Sequence, residues 1–150
     1  MGGTFNPIHY GHLLLAQAAL ESLSLDKILF MPSGNSYMKE ASRILSGELR
    51  GQMVRLALKE NPDFIFSDLE LQRQGPTYTC DTLAALRAQN PQSRYYFILG
   101  EDNLLTIKQW KNPEFILKNC VIAGAVRESY NTSRILDAAR LLEKEYQADI

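Results

Sequence analysis

The feature that most restricts this chain's fold is an alternation. Short apolar runs of strand length are separated by segments of helical spacing along the whole sequence. The spacing predicts a helix over 9–23, with Leu13, Ala16, Leu20 and Leu23 on one face. A buried strand over 27–31 is expected next, halted by Pro32-Ser33-Gly34. Residues 47–60 return to helical spacing through Leu49, Met53, Leu56 and Ala57. A strand over 64–68, a helix over 79–90, a strand over 94–100 and a short helix over 113–119 follow, then a strand over 120–126 and a last helix over 133–147. That order predicts the α/β class, a doubly wound and mostly parallel sheet, in a single domain over 1–150. Such sheets take ligands at the carboxyl ends of their strands, where strand order reverses. A glycine turn leading into a helix ordinarily leaves a buried strand, yet only Met1 precedes Gly2-Gly3. The sheet is therefore expected to lack its first strand, and the chain to lack a C-terminal segment after residue 150.

The string GGTFNPIHYGH (2–12) holds both histidines of the chain. Gly3, Thr4 and Phe5 supply backbone N–H groups in a loop, and a following helix N-terminus adds unpaired donors and partial positive charge. Such a loop is a natural seat for an anion. Pro7 suits a helix start. His9 and His12, three apart, share one helix face and point toward the same anion, while Gly11 admits a ligand or a second backbone. Plainer readings stand beside this one. The glycine pair could make a simple turn, the histidines could be surface residues, or the pair could belong to a zinc site, for which no third histidine exists. The G-x-G-x-x-G pattern of dinucleotide sites is absent.

Charge narrows the partners. Sixteen Lys and Arg against 17 Asp and Glu leave a net charge of −1, which argues against nucleic acid or an anionic membrane surface as a partner. No apolar run is long enough to span a bilayer and no signal-peptide pattern opens the chain, so the cytoplasm is the expected compartment. Cys80 and Cys120 lie far apart among apolar residues and are expected as buried free thiols. Oligomeric state is left open, a homo-oligomer included.

Gly3, Phe5, Pro7, His9, Gly11 and His12 fill every fixed position of the nucleotidyltransferase pattern G-x-F-x-P-x-H-x-G-H. Together with GPTYTCDTL (75–83), FILGEDNL (97–104) and KQWKNPEFIL (108–117), they make the chain resemble the bacterial nicotinate mononucleotide adenylyltransferases. That resemblance implies a Rossmann-like fold, with ATP as cosubstrate and Mg²⁺ carried by its phosphates rather than by protein ligands. It also implies nicotinate mononucleotide as acceptor, and deamido-NAD and pyrophosphate as products. His9 and His12 would hold the triphosphate, and Gly3, Thr4, Phe5, Lys39 and Arg127 would meet phosphate oxygens.

Gly100 and Asp102 end an apolar strand, where a glycine admits a nucleotide and an acid suits a ribose hydroxyl; a helix cap by Asp102 is the plain alternative. Tyr78 and Thr79 start a helix whose free N–H groups, as the resemblance implies, would meet the nicotinate carboxylate; without it Thr77 and Thr79 read as ordinary caps. Trp110 stands in a polar loop, where it either anchors the loop on the core or, as the resemblance implies, stacks on the nicotinate ring. The family's Pro-Pro-His before the lysine is here Ser36-Tyr37-Met38, and its Arg-Pro-Gly is Arg127-Glu128-Ser129. Its Ser/Thr-rich turn ending in a triphosphate-binding Arg has no counterpart, and Arg134 does not take that role. The alternatives are a nicotinamide mononucleotide or phosphopantetheine enzyme of the same superfamily, or a nucleotide-binding module without turnover.

Overall fold

Short apolar runs separated by helices favour parallel pairing, because each helix carries the chain back to begin the next strand in the same direction. Every strand pair among the described residues is parallel. The computed structural model describes residues 1–34, 44–126 and 132–150. It divides into two compact units, Met1–Thr77 and Tyr78–Ile150.

In the first unit β1 (Gly2–Gly3), α1 (Tyr10–Ser22), β2 (Ile28–Pro32), α2 (Gly47–Leu58) and β3 (Phe64–Phe66) follow one another. The three strands form a parallel sheet in the order β1-β2-β3. The expected missing strand is thus present as a two-residue stub, with Gly2 beside Met31 and Gly3 beside Pro32. Pro32 closes β2 instead of halting the chain before it. The lost N–H is not missed, because the rung there is Ser33 N–H to the Gly3 carbonyl at 2.8 Å. Phe30 is fully buried at the centre, with Phe64 and Phe5 ring centroids 5.1 and 6.0 Å away. Burying side chains such as Phe30, Ile28 and Val54 stabilises the unit by about 1.5–3 kcal/mol each.

The helices show where periodicity misleads. On α1 Ala16 is fully buried and Leu13 and Leu20 half-buried, as expected, but Leu23 lies beyond the helix and is 40% exposed. On α2 the expected stripe is wrong by one position. Leu49 and Leu56 are exposed, and the buried stripe runs through Arg50, Val54 and Leu58, with Gly51 against Phe66 and Leu71.

The second unit contains α3 (Thr79–Gln89), β4 (Tyr96–Gly100), α4 (Glu101–Thr106), a 3₁₀ turn over Ile107–Gln109, α5 (Pro113–Asn119), β5 (Val121–Ala125) and α6 (Thr132–Tyr146). β4 and β5 pair in parallel from Tyr96–Val121 to Gly100–Ala125. Ile107, Ile116, Leu117 and Ile122 form the dry centre, joined by Ile135 and Leu142 from α6. Cys80 and Cys120 are buried free thiols, as composition suggested. Cys120 Sγ donates to the Ile116 carbonyl at 3.3 Å, and burial pushes its thiol up to about 12. Among the described residues no helix is long and apolar enough to cross a membrane.

Candidate functional site

The loop after β1 takes its shape from Phe5. This residue sits at φ +48°, in the left-handed region that side chains rarely adopt, with its ring 2% exposed. The ring passes so close to Gly3 that a Cβ there would lie 3.0 Å from it. Glycine at position 3 therefore lets the Phe5 ring lie flush against the backbone, where a side chain would have to push it aside.

α1 begins three residues beyond Pro7, so Pro7 belongs to the preceding turn rather than to the first helical position. His9 is the N-cap, and the two histidines do come together. Their rings stack with centroids 3.8 Å apart and 28° between planes, and the Phe5 ring meets His12 edge-on at 5.1 Å. A Cβ on residue 11 would lie 3.1 Å from His9 Nδ1, so glycine here makes room for the His9 ring. The His9 backbone N–H donates to His12 Nδ1 at 3.2 Å. In the neutral ring that assigns the proton to His12 Nε2, which is then a donor.

In the second unit Gly100 ends β4 and is itself the N-cap of α4. A Cβ on Gly100 would meet nothing within 4 Å, so open space lies beside it. Asp102 does not cap this helix; it lies exposed in the first turn. Tyr78, not Thr77 or Thr79, is the N-cap of α3. The first intrahelical bonds run from Asp81 and Thr82 N–H to the Tyr78 carbonyl, so the N–H groups of Thr79 and Cys80 lie ahead of the ladder. Trp110 packs on the core cluster with its ring 6.1 Å from Phe97, as a loop anchor would. Its buried Nε1 has no partner among the described residues. Lys39 and Arg127 lie outside the described residues.

Two cations escaped the sequence reading. Lys111 Nζ pairs with Asp81 at 3.0 Å and lies 4.3 Å from the Tyr78 ring centroid, bringing positive charge to the start of α3; the Asp81 hydrogen bond holds it above its ordinary pKa. Arg50, 3% exposed, donates to three backbone carbonyls: Thr4 at 2.7 Å, Ser33 at 2.8 Å and Leu45 at 3.0 Å. Burial pulls its guanidinium below the ordinary arginine value, and among the described residues no carboxylate pairs with it. The only signal in the sequence was its place four residues before Val54 and eight before Leu58. Among the described residues no group of three or more His, Cys, Asp and Glu is arranged to hold a metal.

Comparison with known proteins gives the chain a family. The Cytidylyltransferase-like family model matches residues 1–148. A Lachnoclostridium phytofermentans protein named "Probable nicotinate-nucleotide adenylyltransferase" is 41% identical over all 150 residues, which span 75% of its own length. A protein of the same name from Clostridium acetobutylicum is 39% identical over 145 residues, 97% of this chain and 72% of the relative. Among solved structures, the Plasmodium falciparum nicotinic acid mononucleotide adenylyltransferase complexed with NaAD superposes on 91% of this chain and 68% of its own, at a TM-score of 0.76 and 21% identity. That last likeness concerns the fold alone, which is Rossmann-like.

Proposed function

The chain belongs to the cytidylyltransferase-like family, among the nicotinate-nucleotide adenylyltransferases, and from that membership we propose that it transfers AMP from ATP to nicotinate mononucleotide. The products are deamido-NAD and pyrophosphate, and residues 1–150 serve as one transferase domain. The observation that carries this reading is the loop Gly3-Thr4-Phe5 followed directly by two stacked histidines, the second accepting the first one's backbone N–H on its Nδ1.

The nucleotide's phosphate oxygen attacks the α-phosphorus of ATP. A new P–O bond forms there while the bond to the bridging oxygen breaks, and pyrophosphate leaves with the electron pair. The attacking oxygen is already ionised at neutral pH, so no general base is required. Catalysis is positioning and charge stabilisation, as in other phosphoryl transfers. In this reading His12 Nε2–H donates to the triphosphate as charge builds on the bridging oxygen, and His9 supports it by stacking. Gly3, Thr4 and Phe5 cradle phosphate with their backbone, and Lys39 and Arg127 add charge to it. Mg²⁺ carried by the ATP phosphates would neutralise part of their charge, since this ion keeps most of its ligands as water and phosphate oxygen.

Gly100 leaves room for the nucleoside, and Asp102 accepts from a ribose hydroxyl. The N–H groups at the start of α3, at Tyr78 and Thr79, receive the nicotinate carboxylate. The positive helix end favours that acid over the neutral amide of the nicotinamide nucleotide. Trp110 stacks on the pyridine ring.

The test is pyrophosphate release from ATP and Mg²⁺ with nicotinate mononucleotide, nicotinamide mononucleotide or phosphopantetheine as acceptor. Release with the nicotinate nucleotide preferred supports the assignment. Preference for another acceptor moves the chain elsewhere in the superfamily, and ATP binding without release reduces it to a binding module.

A further inference from the structure

Arg50 is expensive where it stands. A guanidinium taken out of water forfeits several kcal/mol of hydration, and its usual compensation is a carboxylate. Here the acceptors are three neutral carbonyls drawn from three segments: Thr4 after β1, Ser33 after β2, and Leu45 just ahead of α2. A planar fork can hold them in one fixed arrangement, whereas an ammonium cannot span all three.

Two of those carbonyls have a consequence on their far sides. The Thr4–Phe5 and Ser33–Gly34 peptides are trans, so each N–H points opposite to its carbonyl. With both carbonyls drawn toward Arg50, the N–H groups of Phe5 and Gly34 face away from it. No acceptor among the described residues takes either one. β1 and β2 are neighbouring parallel strands, so both peptides lie at the same, carboxyl edge of the sheet. Phe5 also needs holding, because its φ of +48° is unfavourable for a residue with a side chain.

We propose that Arg50 is a positioning residue that orients the Thr4–Phe5 and Ser33–Gly34 peptides so that their N–H groups are presented to phosphate oxygens of ATP. The proposal rests on the transferase reading given above. Arg50 touches no substrate; it acts through two backbone peptides, and its own charge raises the potential beneath them.

The test compares the wild-type chain with Arg50→Lys, which keeps the charge and loses the fork, and with Arg50→Met, which loses both. In Arg50→Lys the KM for ATP should rise about tenfold or more, the factor set by one charge-assisted hydrogen bond. The KM for nicotinate mononucleotide should stay within about twofold, a split that general loosening would not produce. Amide exchange at Ser33, whose N–H is bonded to the Gly3 carbonyl, should accelerate in the same variant while exchange in β4 and β5 is unchanged. Equal shifts in both KM values, or an unchanged KM for ATP, would overturn the proposal even if the melting temperature falls. If the wild-type chain releases no pyrophosphate, the transferase reading fails first. Calorimetric titration with inorganic tripolyphosphate together with Ser33 exchange then decides on Arg50, and no difference between wild type and Arg50→Lys would dismiss it. Arg50→Lys remains informative should Arg50→Met fail to fold.

Discussion

His12 shows how much one hydrogen bond can settle at the scale of a residue. Its Nδ1 accepts from the His9 backbone N–H, which in the neutral ring puts the proton on Nε2 and makes that nitrogen the donor. Replacing His12 with alanine removes that donor. The expected cost is about 3 kcal/mol in the barrier, roughly two orders of magnitude in kcat, read from steady-state pyrophosphate release. Phe5→Ala should act on stability instead. Its ring is 2% exposed and bears on Gly3, Phe30 and His12, so a loss of about 3–5 kcal/mol is expected in urea unfolding. The motif glycines were legible in the sequence, but their reasons were not. Gly3 serves the Phe5 ring and Gly11 serves the His9 ring, and neither contact follows from spacing.

Among the elements, α5 is set by a single residue. Asn112 adopts φ +48° and its Oδ1 accepts from Phe115 N–H at 3.3 Å, so it makes the left-handed turn and the cap together. Asn112→Ala should lose about 1 kcal/mol for the cap and a similar amount for the turn, and Asn112→Gly should lose less, as measured by thermal melts. α5 itself was readable from Pro-Glu-Phe-Ile-Leu-Lys-Asn to the residue. α4 was not, because six residues are too few to establish a period. α2 was readable in extent but not in orientation. Hydrophobicity favoured Leu49 and Leu56 as the inner face, and the structure chose Arg50, because three distant carbonyls meet it there. No local rule can anticipate partners 5, 17 and 46 residues away.

For the whole molecule, alternation along the sequence was enough to give the α/β class and the parallel pairing, since helical crossovers allow little else. Its pH response depends on groups the alternation does not reveal. Cys120 is held neutral in the fold, with its thiol moved from 9.0 up to about 12 by burial, while the unfolded chain ionises it near the ordinary value. Its stabilising contribution is therefore complete below about pH 9 and is lost as pH climbs toward 12. The unfolding free energy of the wild type, from urea titrations, should fall more steeply than that of Cys120→Ala between pH 8 and 10.5, by on the order of 2 kcal/mol. Parallel pairing has a practical corollary for anyone who must attach a dye or a purification handle. In β4, Gly100 stands at one end and the returning turn Asn90–Arg94, exposed throughout, leads into the other, about 13 Å away along the strand. A short Gly-Ser insertion after Gln92 should leave the KM for ATP unchanged, so cargo belongs at the amino ends of the strands, where the chain merely turns around.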